Sequence, residues 1–241
     1  MSFTIVTVST GKPTADYYTY DQFFASLRVH GCDPLVLVPD PRKRFGLGDK
    51  PKLLRKAILD KTITTRYLLF TDCYDLVFAA SPEEVMEMYR AFNAPFVCSA
   101  EKNCFPGDLK DKFPDSPTSY RYLNSGFIVA EIEAMLTVLE SMDLDNVPDD
   151  YWDKEKNCMV HINDQFLYHE EFIKQPVKMI LDHKQILSQT LHDVQLDELD
   201  IRNPLGIMNL ETGKFPLTFH FNGNSKTENG TKEAILERLG L

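Results

Sequence analysis

Through the first hundred residues, short apolar runs alternate with stretches of helical periodicity, and this alternation constrains the fold more than any other feature. Phe3 to Ser9, Pro34 to Val38, Tyr67 to Phe70 and Pro95 to Ser99 are aliphatic or β-branched runs too short for helices. Between them, Asp16 to His30 sets Tyr20, Phe23, Phe24 and Leu27 at helical spacing, and Lys52 to Lys61 reads as a basic helix. Ser81-Pro82-Glu83-Glu84 supplies a capping Ser, a first-turn Pro and a Glu three residues after the cap, which predicts a helix to about Phe92. Such βα alternation implies an α/β fold, with a mostly parallel central sheet flanked by helices. Ligands of these sheets sit beyond the carboxyl ends of the strands. Lys102 to Tyr120 and Asp143 to Val160 read as loops, and no repeat or linker divides the chain. The expectation is therefore a single domain over residues 1–241.

Charge narrows the functional classes. A formal net charge of -10 argues against a broad nonspecific nucleic-acid surface, because phosphate binding depends on Lys and Arg. The basic residues are uneven, however: eight of them lie between Arg42 and Lys61 against two acids, Asp49 and Asp60. That run is either a solvated helix face or a local phosphate site, and composition leaves both open. The five cysteines form no C-x-x-C pair, so reduced thiols are expected, with Cys98 in the core. The N-terminus has no signal-peptide pattern and no stretch has the length of a membrane span, so a cytoplasmic location and no membrane partner are expected.

The chemistry concentrates in three segments. In Leu68-Leu69-Phe70-Thr71-Asp72-Cys73-Tyr74-Asp75 a buried strand delivers two carboxylates where the sheet stops. Such a pair either caps turns or shares a divalent cation, and hard ions prefer these oxygen ligands. Phe219-His220-Phe221-Asn222-Gly223-Asn224 places a His at the end of a second apolar run. Leu123-Asn124-Ser125-Gly126-Phe127 puts polar residues and a glycine immediately before another strand. Asp164 is a candidate N-cap for a helix from Gln165 to Ile173, or a carboxylate near a reacting group. Trp152, the only Trp, either packs on a sugar ring or anchors a polar loop.

Taken in order, these segments resemble the glycosyltransferase domain found at the N-terminus of procollagen lysyl hydroxylases and in related stand-alone viral proteins. The resemblance covers nearly the whole chain. It begins with the first strand, Ile5-Val6-Thr7-Val8-Ser9-Thr10, and the basic segment Gly48 to Lys56. It continues through Thr71 to Asp75, Phe96 to Pro106, Arg121 to Ile128 and Asn163-Asp164-Gln165, and ends at His220-Phe221-Asn222-Gly223 with Lys226. It implies a GT-A-type, Rossmann-like domain with a nucleotide-binding half (1–100) and an acceptor-side half (101–241). Asp72, Asp75 and His220 are then the metal ligands. Thr7, Lys50, Tyr74, Asn222, Gly223 and Lys226 bind the donor nucleotide, and Asp164 and Asn124 stand near the sugar.

The implied reaction is metal-dependent transfer from a nucleotide-diphosphate sugar, UDP-linked by the same resemblance, to a hydroxyl acceptor. Two carboxylates, an imidazole and phosphate oxygens suit Mn²⁺ (or Mg²⁺) better than a thiolate-rich structural zinc site. The acceptor is either a hydroxylysine-type peptide or a hydroxymethylated pyrimidine in DNA. The alternative is a non-catalytic nucleotide-sugar-binding or scaffold protein that kept the fold. Three departures mark the chain: Asn163 where the family often has another Asp, Cys73 between the metal acids, and Phe127 where a second Gly is usual.

Overall fold

The computed structural model describes residues 2–146, 151–153, 158–160, 163–227 and 230–241. Its centre is a six-stranded sheet of β1 (Phe3–Val8), β2 (Leu35–Leu37), β3 (Tyr67–Thr71), β5 (Phe96–Glu101), β6 (Tyr122–Glu131) and β9 (Met179–Asp182). The strand order is β2-β1-β3-β6-β5-β9. Five strands run parallel, and β6 lies between β3 and β5 antiparallel to both. The sheet is thus mostly parallel, as expected, with one reversed strand inside it.

Alternation along these buried strands feeds two cores. Leu68 and Phe70 of β3, Phe96 and Cys98 of β5 and Ile128 of β6 pack on one face. Helices α2 (Asp49–Leu59), α4 (Ile132–Ser141) and α5 (Asp164–Lys174) cover that face through Leu54, Val138 and Leu167. Leu69, Val97 and Val129 point to the other face, closed by α1 (Tyr20–Arg28) and α3 (Pro82–Arg90) through Phe23, Leu27 and Val85. A sheet apolar on both faces must be covered twice, which is what the βα alternation foretold.

Several helix boundaries differ from expectation for local reasons. The first helix starts at Tyr20 rather than Asp16, because the Thr19 amide donates to the Tyr74 carbonyl (2.8 Å) and turns the chain into the helix from outside. α2 starts three residues early, at Asp49, and accommodates Pro51 in its first turn, where a missing N–H breaks no bond. α3 forms with the full capping box between Ser81 and Glu84. Asp164 is not the cap of α5. Asn163 takes that role, its side chain accepting from the Gln165 amide (2.8 Å), and Asp164 is the first helical residue.

The loop-rich second half holds short elements. β7 (Tyr151–Asp153) pairs with β8 (Cys158–Val160), and β11 (Leu199–Asp200) pairs with β12 (Met208–Asn209). The side chain of Trp152 lies outside the described residues. The chain closes with α6 (Thr231–Leu239). No helix among the described residues is long and apolar enough to cross a membrane.

A second sheet, β10 (Ser188–Thr190), β13 (Thr218–His220) and β4 (Leu76–Phe78), stands against the end of the first. Two joints hold them together. Buried Asp182, at the end of β9, accepts from the amides of Ile186 (3.0 Å), Leu187 (2.6 Å) and Ser188 (3.3 Å), folding the chain into β10. Gln185 and Thr190 both donate from their side chains to the Ala100 carbonyl of β5, at 2.9 and 2.7 Å. Burial pushes the Asp182 carboxyl up to about 6, with the backbone amides opposing. Asp182→Ala would orphan these buried donors, so the variant is expected to lose about 3 kcal/mol of stability in urea unfolding; a loss below about 1 kcal/mol would show that the joint does not depend on this carboxylate.

Candidate functional site

The site forms where the chain leaves the central sheet for the second one. β3 ends at Thr71, the segment Asp72 to Asp75 turns, and β4 runs on beside β13. The turn is pinned from three sides. The Asp72 amide donates to the Gly126 carbonyl (2.9 Å), the Tyr74 carbonyl accepts from Thr19, and the Asp75 carbonyl accepts from the Phe221 amide (2.6 Å). Because His220 pairs with Leu76 across the β4–β13 ladder, the imidazole arrives next to Asp75. Its Nε2 lies 3.2 Å from Asp75 Oδ1. Asp72, Asp75 and His220 each offer a ligand atom within 4.8 Å of the other two.

These three residues fit a divalent cation on two further grounds. His220 is 2 % exposed, yet neither ring nitrogen has a hydrogen-bonding partner, its close contact to Asp75 being off the direction such a bond requires. Buried polar atoms are rarely left in this state, and a ligand-binding nitrogen is one reason for it. The approach of the ring also depends on Gly126, where a Cβ would stand 2.2 Å from His220 Cε1.

Two lysines enter the acidic turn. Lys50, in the first turn of α2, places Nζ 2.6 Å from Asp72 Oδ1 and 3.5 Å from Asp164 Oδ2. Lys226, in the short 3-10 turn Gly223–Lys226, places Nζ 2.7 Å from Asp75 Oδ2 and 5.5 Å from the centre of the Tyr18 ring. Burial disfavours the charged form of Lys50, but Asp164, Asp72 and Asp75 outweigh it and raise its pKa. Lys226 is raised in the same way, chiefly by Asp75 acting against burial. Burial likewise works against ionised Asp75, yet His220 and Lys226 hold it well below the usual carboxylate range. Asp164 goes the other way: burial raises it, Asp72 adds to the rise, and Lys50 opposes.

Sequence reasoning missed Glu101 as a site residue, and it is the hub of the polar floor. It is 3 % exposed at the carboxyl end of β5. Oε1 accepts from Gln165 Nε2 (2.7 Å) and Asn124 Nδ2 (3.2 Å), and Oε2 accepts from Asn222 Nδ2 (2.8 Å). The other ends of these amides are engaged as well. Asn124 Oδ1 accepts from the Gly126 amide (3.0 Å), Gln165 Oε1 from the Ser125 amide (3.2 Å), and Asn222 Oδ1 from the amides of Leu191 and His192 (2.9 and 3.0 Å). Burial pushes the Glu101 carboxyl up to about 7, with its amide donors and His220 opposing. The rule that ligands sit beyond strand ends pointed at this position, but a Glu within an apolar strand carries no motif of its own.

The Asn124-Ser125-Gly126 segment lies inside β6 and not ahead of it. Between β5 and β6 the register jumps from Ser99–Asn124 to Cys98–Ile128, so Ser125 to Phe127 leave that ladder. The bulge re-aims side chains, as such irregularities do next to sites, and Ser125 Oγ donates to Asp164 Oδ2 (3.2 Å).

All these groups line one cleft of about 500 Å³, within the range of small-molecule sites. Of the residues named from sequence, Asp72, Asp75, His220, Lys50, Tyr74, Asn124, Asp164, Asn222, Gly223 and Lys226 line it. Thr7 does not: it is fully buried in β1, and Val8 lines the cleft instead. Tyr74 uses its hydroxyl to hold the loop above the turn, accepting from the Thr10 amide (2.8 Å) and donating to the Gly11 carbonyl (3.0 Å). Gly223 has a left-handed φ of 60°, and a Cβ there would fall 1.5 Å from His192 Nδ1. His192, which also lines the cleft, carried no sequence signal. The basic run is largely neutralised on the surface: Arg42 pairs with Asp40, Lys52 with Asp49, Arg55 with Asp145 and Lys56 with Asp60. Lys50 alone of the run lines the cleft among the described residues.

Comparison with known proteins identifies the family and the fold. The model of the PLOD GT domain matches residues 1–233. The rat procollagen-lysine,2-oxoglutarate 5-dioxygenase 1 is 28% identical over 194 residues, covering 76% of this chain and 24% of that protein. The human multifunctional procollagen lysine hydroxylase and glycosyltransferase LH3 is 26% identical over 238 residues, covering 93% of this chain and 30% of that protein. The chain thus spans less than a third of the length of these curated relatives. Two solved structures share the fold. A glycosyltransferase involved in the glycosylation of the major capsid of PBCV-1 superposes with a TM-score of 0.52 at 16% identity, over 99% of both chains. Mouse xyloside xylosyltransferase 1 does so with 0.53 at 14% identity, over 92% of this chain and 98% of that one. The chain belongs to the PLOD GT domain family and carries a glycosyltransferase domain of GT-A fold.

Proposed function

We propose that this protein transfers a sugar from a nucleotide-diphosphate donor, UDP-linked, to a hydroxyl group on a hydroxylysine-type peptide, with Mn²⁺ or Mg²⁺ held by Asp72, Asp75 and His220. The observation that carries the reading is the buried imidazole that makes no hydrogen bond and has Asp75 against its Nε2, beside two carboxylates in a cleft that two lysines also enter. When bound, a divalent ion supplies charge stabilisation for the departing diphosphate. The chain's own residues do the rest. Lys50 and Lys226 hold permanent positive charge toward the diphosphate side, where negative charge accumulates as the sugar leaves. Tyr74 and the loop it ties down, Thr10 and Gly11, form the wall for the nucleoside. Gly223 admits the His192 ring at close range, since a Cβ there would fall 1.5 Å from His192 Nδ1.

Asp164 faces the sugar and the incoming hydroxyl. Its raised pKa suits a group that takes up a proton, and Ser125 and Lys50 fix its orientation. Glu101 acts as a positioning residue: by anchoring Asn124, Gln165 and Asn222 it sets the floor on which the sugar rests. The peptide acceptor is favoured over DNA because half of the basic run is paired with surface acids, and the net charge of -10 repels a polyanion. The names of the relatives, which join procollagen lysine to glycosyltransfer, support the same acceptor class.

Asp72→Ala and Asp75→Ala are expected to lower Mn²⁺-dependent transfer, or donor hydrolysis, by more than about 100-fold while the circular dichroism spectrum is kept; activity that persists in both would remove the metal reading. For Glu101, protonation below about pH 7 puts a proton where an amide donor needs an acceptor. The acid limb of kcat/KM should therefore fall near pH 7 and disappear in Glu101→Gln, which is expected to be slower at every pH. In an acceptor screen, a hydroxylysine peptide should be glycosylated and hydroxymethylcytosine DNA should not; the reverse result would transfer the proposal to nucleic acid.

A further inference from the structure

The two lysines of the cleft sit on the metal-binding carboxylates themselves. Lys50 Nζ is 2.6 Å from Asp72 Oδ1, and Lys226 Nζ is 2.7 Å from Asp75 Oδ2. Both side chains are largely buried, at 11% and 24% exposure. We infer that Lys50 and Lys226 are resident counter-ions of Asp72 and Asp75 that change partners on loading, so that the lysines themselves hold back the divalent ion until a diphosphate takes up their ammonium groups. The inference rests on the reading of Asp72, Asp75 and His220 as metal ligands.

Charge makes the case. Among the groups that the lysines touch, Asp72, Asp75 and Asp164 against Lys50 and Lys226 leave one net negative charge, while Glu101 stands apart on its three amide donors. A dication alone reverses that sign. It also takes carboxylate oxygens from the lysines and strands their ammonium groups without a counter-charge, which is the costly way to break a buried pair. A diphosphate diester alone brings two more negative charges beside three carboxylates, and it pulls the lysines from acids that then lack a partner. With both present, each lysine exchanges a carboxylate for a phosphate oxygen, each acid exchanges an ammonium group for the cation, and the net charge returns to its starting value. A static arrangement, in which the lysines serve the diphosphate only, predicts no effect of the lysines on binding of the cation by itself.

The test is binding, with no turnover. Mn²⁺ affinity is measured by electron paramagnetic resonance, and UDP affinity by calorimetry, each with and without the other ligand, on wild type and on Lys226→Met and Lys50→Met. In wild type each ligand should tighten the other by at least about tenfold, reciprocally. In either lysine variant Mn²⁺ alone should bind about tenfold tighter than in wild type, while UDP in the absence of metal binds more weakly and the mutual tightening shrinks. Asp75→Asn supplies the converse without touching a lysine: it should strengthen UDP binding in the absence of metal by releasing Lys226. The inference is overturned if the lysine variants leave Mn²⁺ affinity unchanged while weakening UDP, or if wild type binds the two ligands independently. Failure of wild type to bind Mn²⁺ even with UDP present would instead overturn the metal site on which the inference rests.

Discussion

Four carboxylates converge on a cleft with little access to water, and the surrounding structure is organised by the need to balance them. Asp75, Asp164 and Glu101 are nearly inaccessible, and Asp72 is one-fifth exposed. Isolated buried charges are expensive, so each must have a partner. The solutions differ. Asp72 and Asp75 take ammonium groups, Asp164 takes a lysine and a serine hydroxyl, and Glu101 takes three amides. This difference divides the labour. Ammonium partners can move to a phosphate, whereas the amides of Asn124, Gln165 and Asn222 are tied at both ends and cannot leave without orphaning backbone donors. One side of the cleft is built for exchange and the other for rigidity.

The geometry that makes this possible is a departure from the simple βα pattern. After β3 the chain does not cross over at once; it turns through Asp72 to Asp75 and contributes β4 to a second sheet. β13 returns from the far end of the chain to pair with β4, and this pairing brings His220 to Asp75 from a separation of 145 residues. The close fit is completed by Gly126 on the reversed strand β6, since any larger residue would meet the imidazole. Three elements from three parts of the chain thus meet at one ring.

Much of the first half was legible from sequence because its signals are local. The apolar runs became β1, β2, β3 and β5, and Ser81 with Glu84 formed the capping box that their spacing announced. Long-range pairing left no such trace. Nothing in Leu76-Val77-Phe78 distinguishes a strand of a second sheet from a turn after the first, and neither the reversal of β6 nor its bulge at Ser125 to Phe127 is marked by composition. The one-residue displacement at α5 shows how much depends on such detail. With Asn163 as the cap, Asp164 is free of the capping role, and its carboxylate meets Ser125 and Lys50 from the first turn of the helix. Asn163 caps the helix as well as an Asp would and adds no fifth negative charge to the cleft.

The same logic separates Lys50 from the rest of its basic run. On α2, Pro51, Leu54, Ala57 and Ile58 face the core, so the helix can offer only its N-terminal end and its outer face to other partners. The outer face places Lys52, Arg55 and Lys56 against Asp49, Asp145 and Asp60, pairs that water screens and that contribute little to stability. Lys50 lies at the N-terminal end, which opens on the cleft together with Leu47 and Phe45. There the positive end of the helix dipole and the ammonium group act on the same anions. A run of basic residues is thus not a single feature: helix phase assigns one lysine to the acids of the cleft and the others to the surface. The chain keeps a strongly negative total charge and still places two ammonium groups, those of Lys50 and Lys226, among the carboxylates of the cleft.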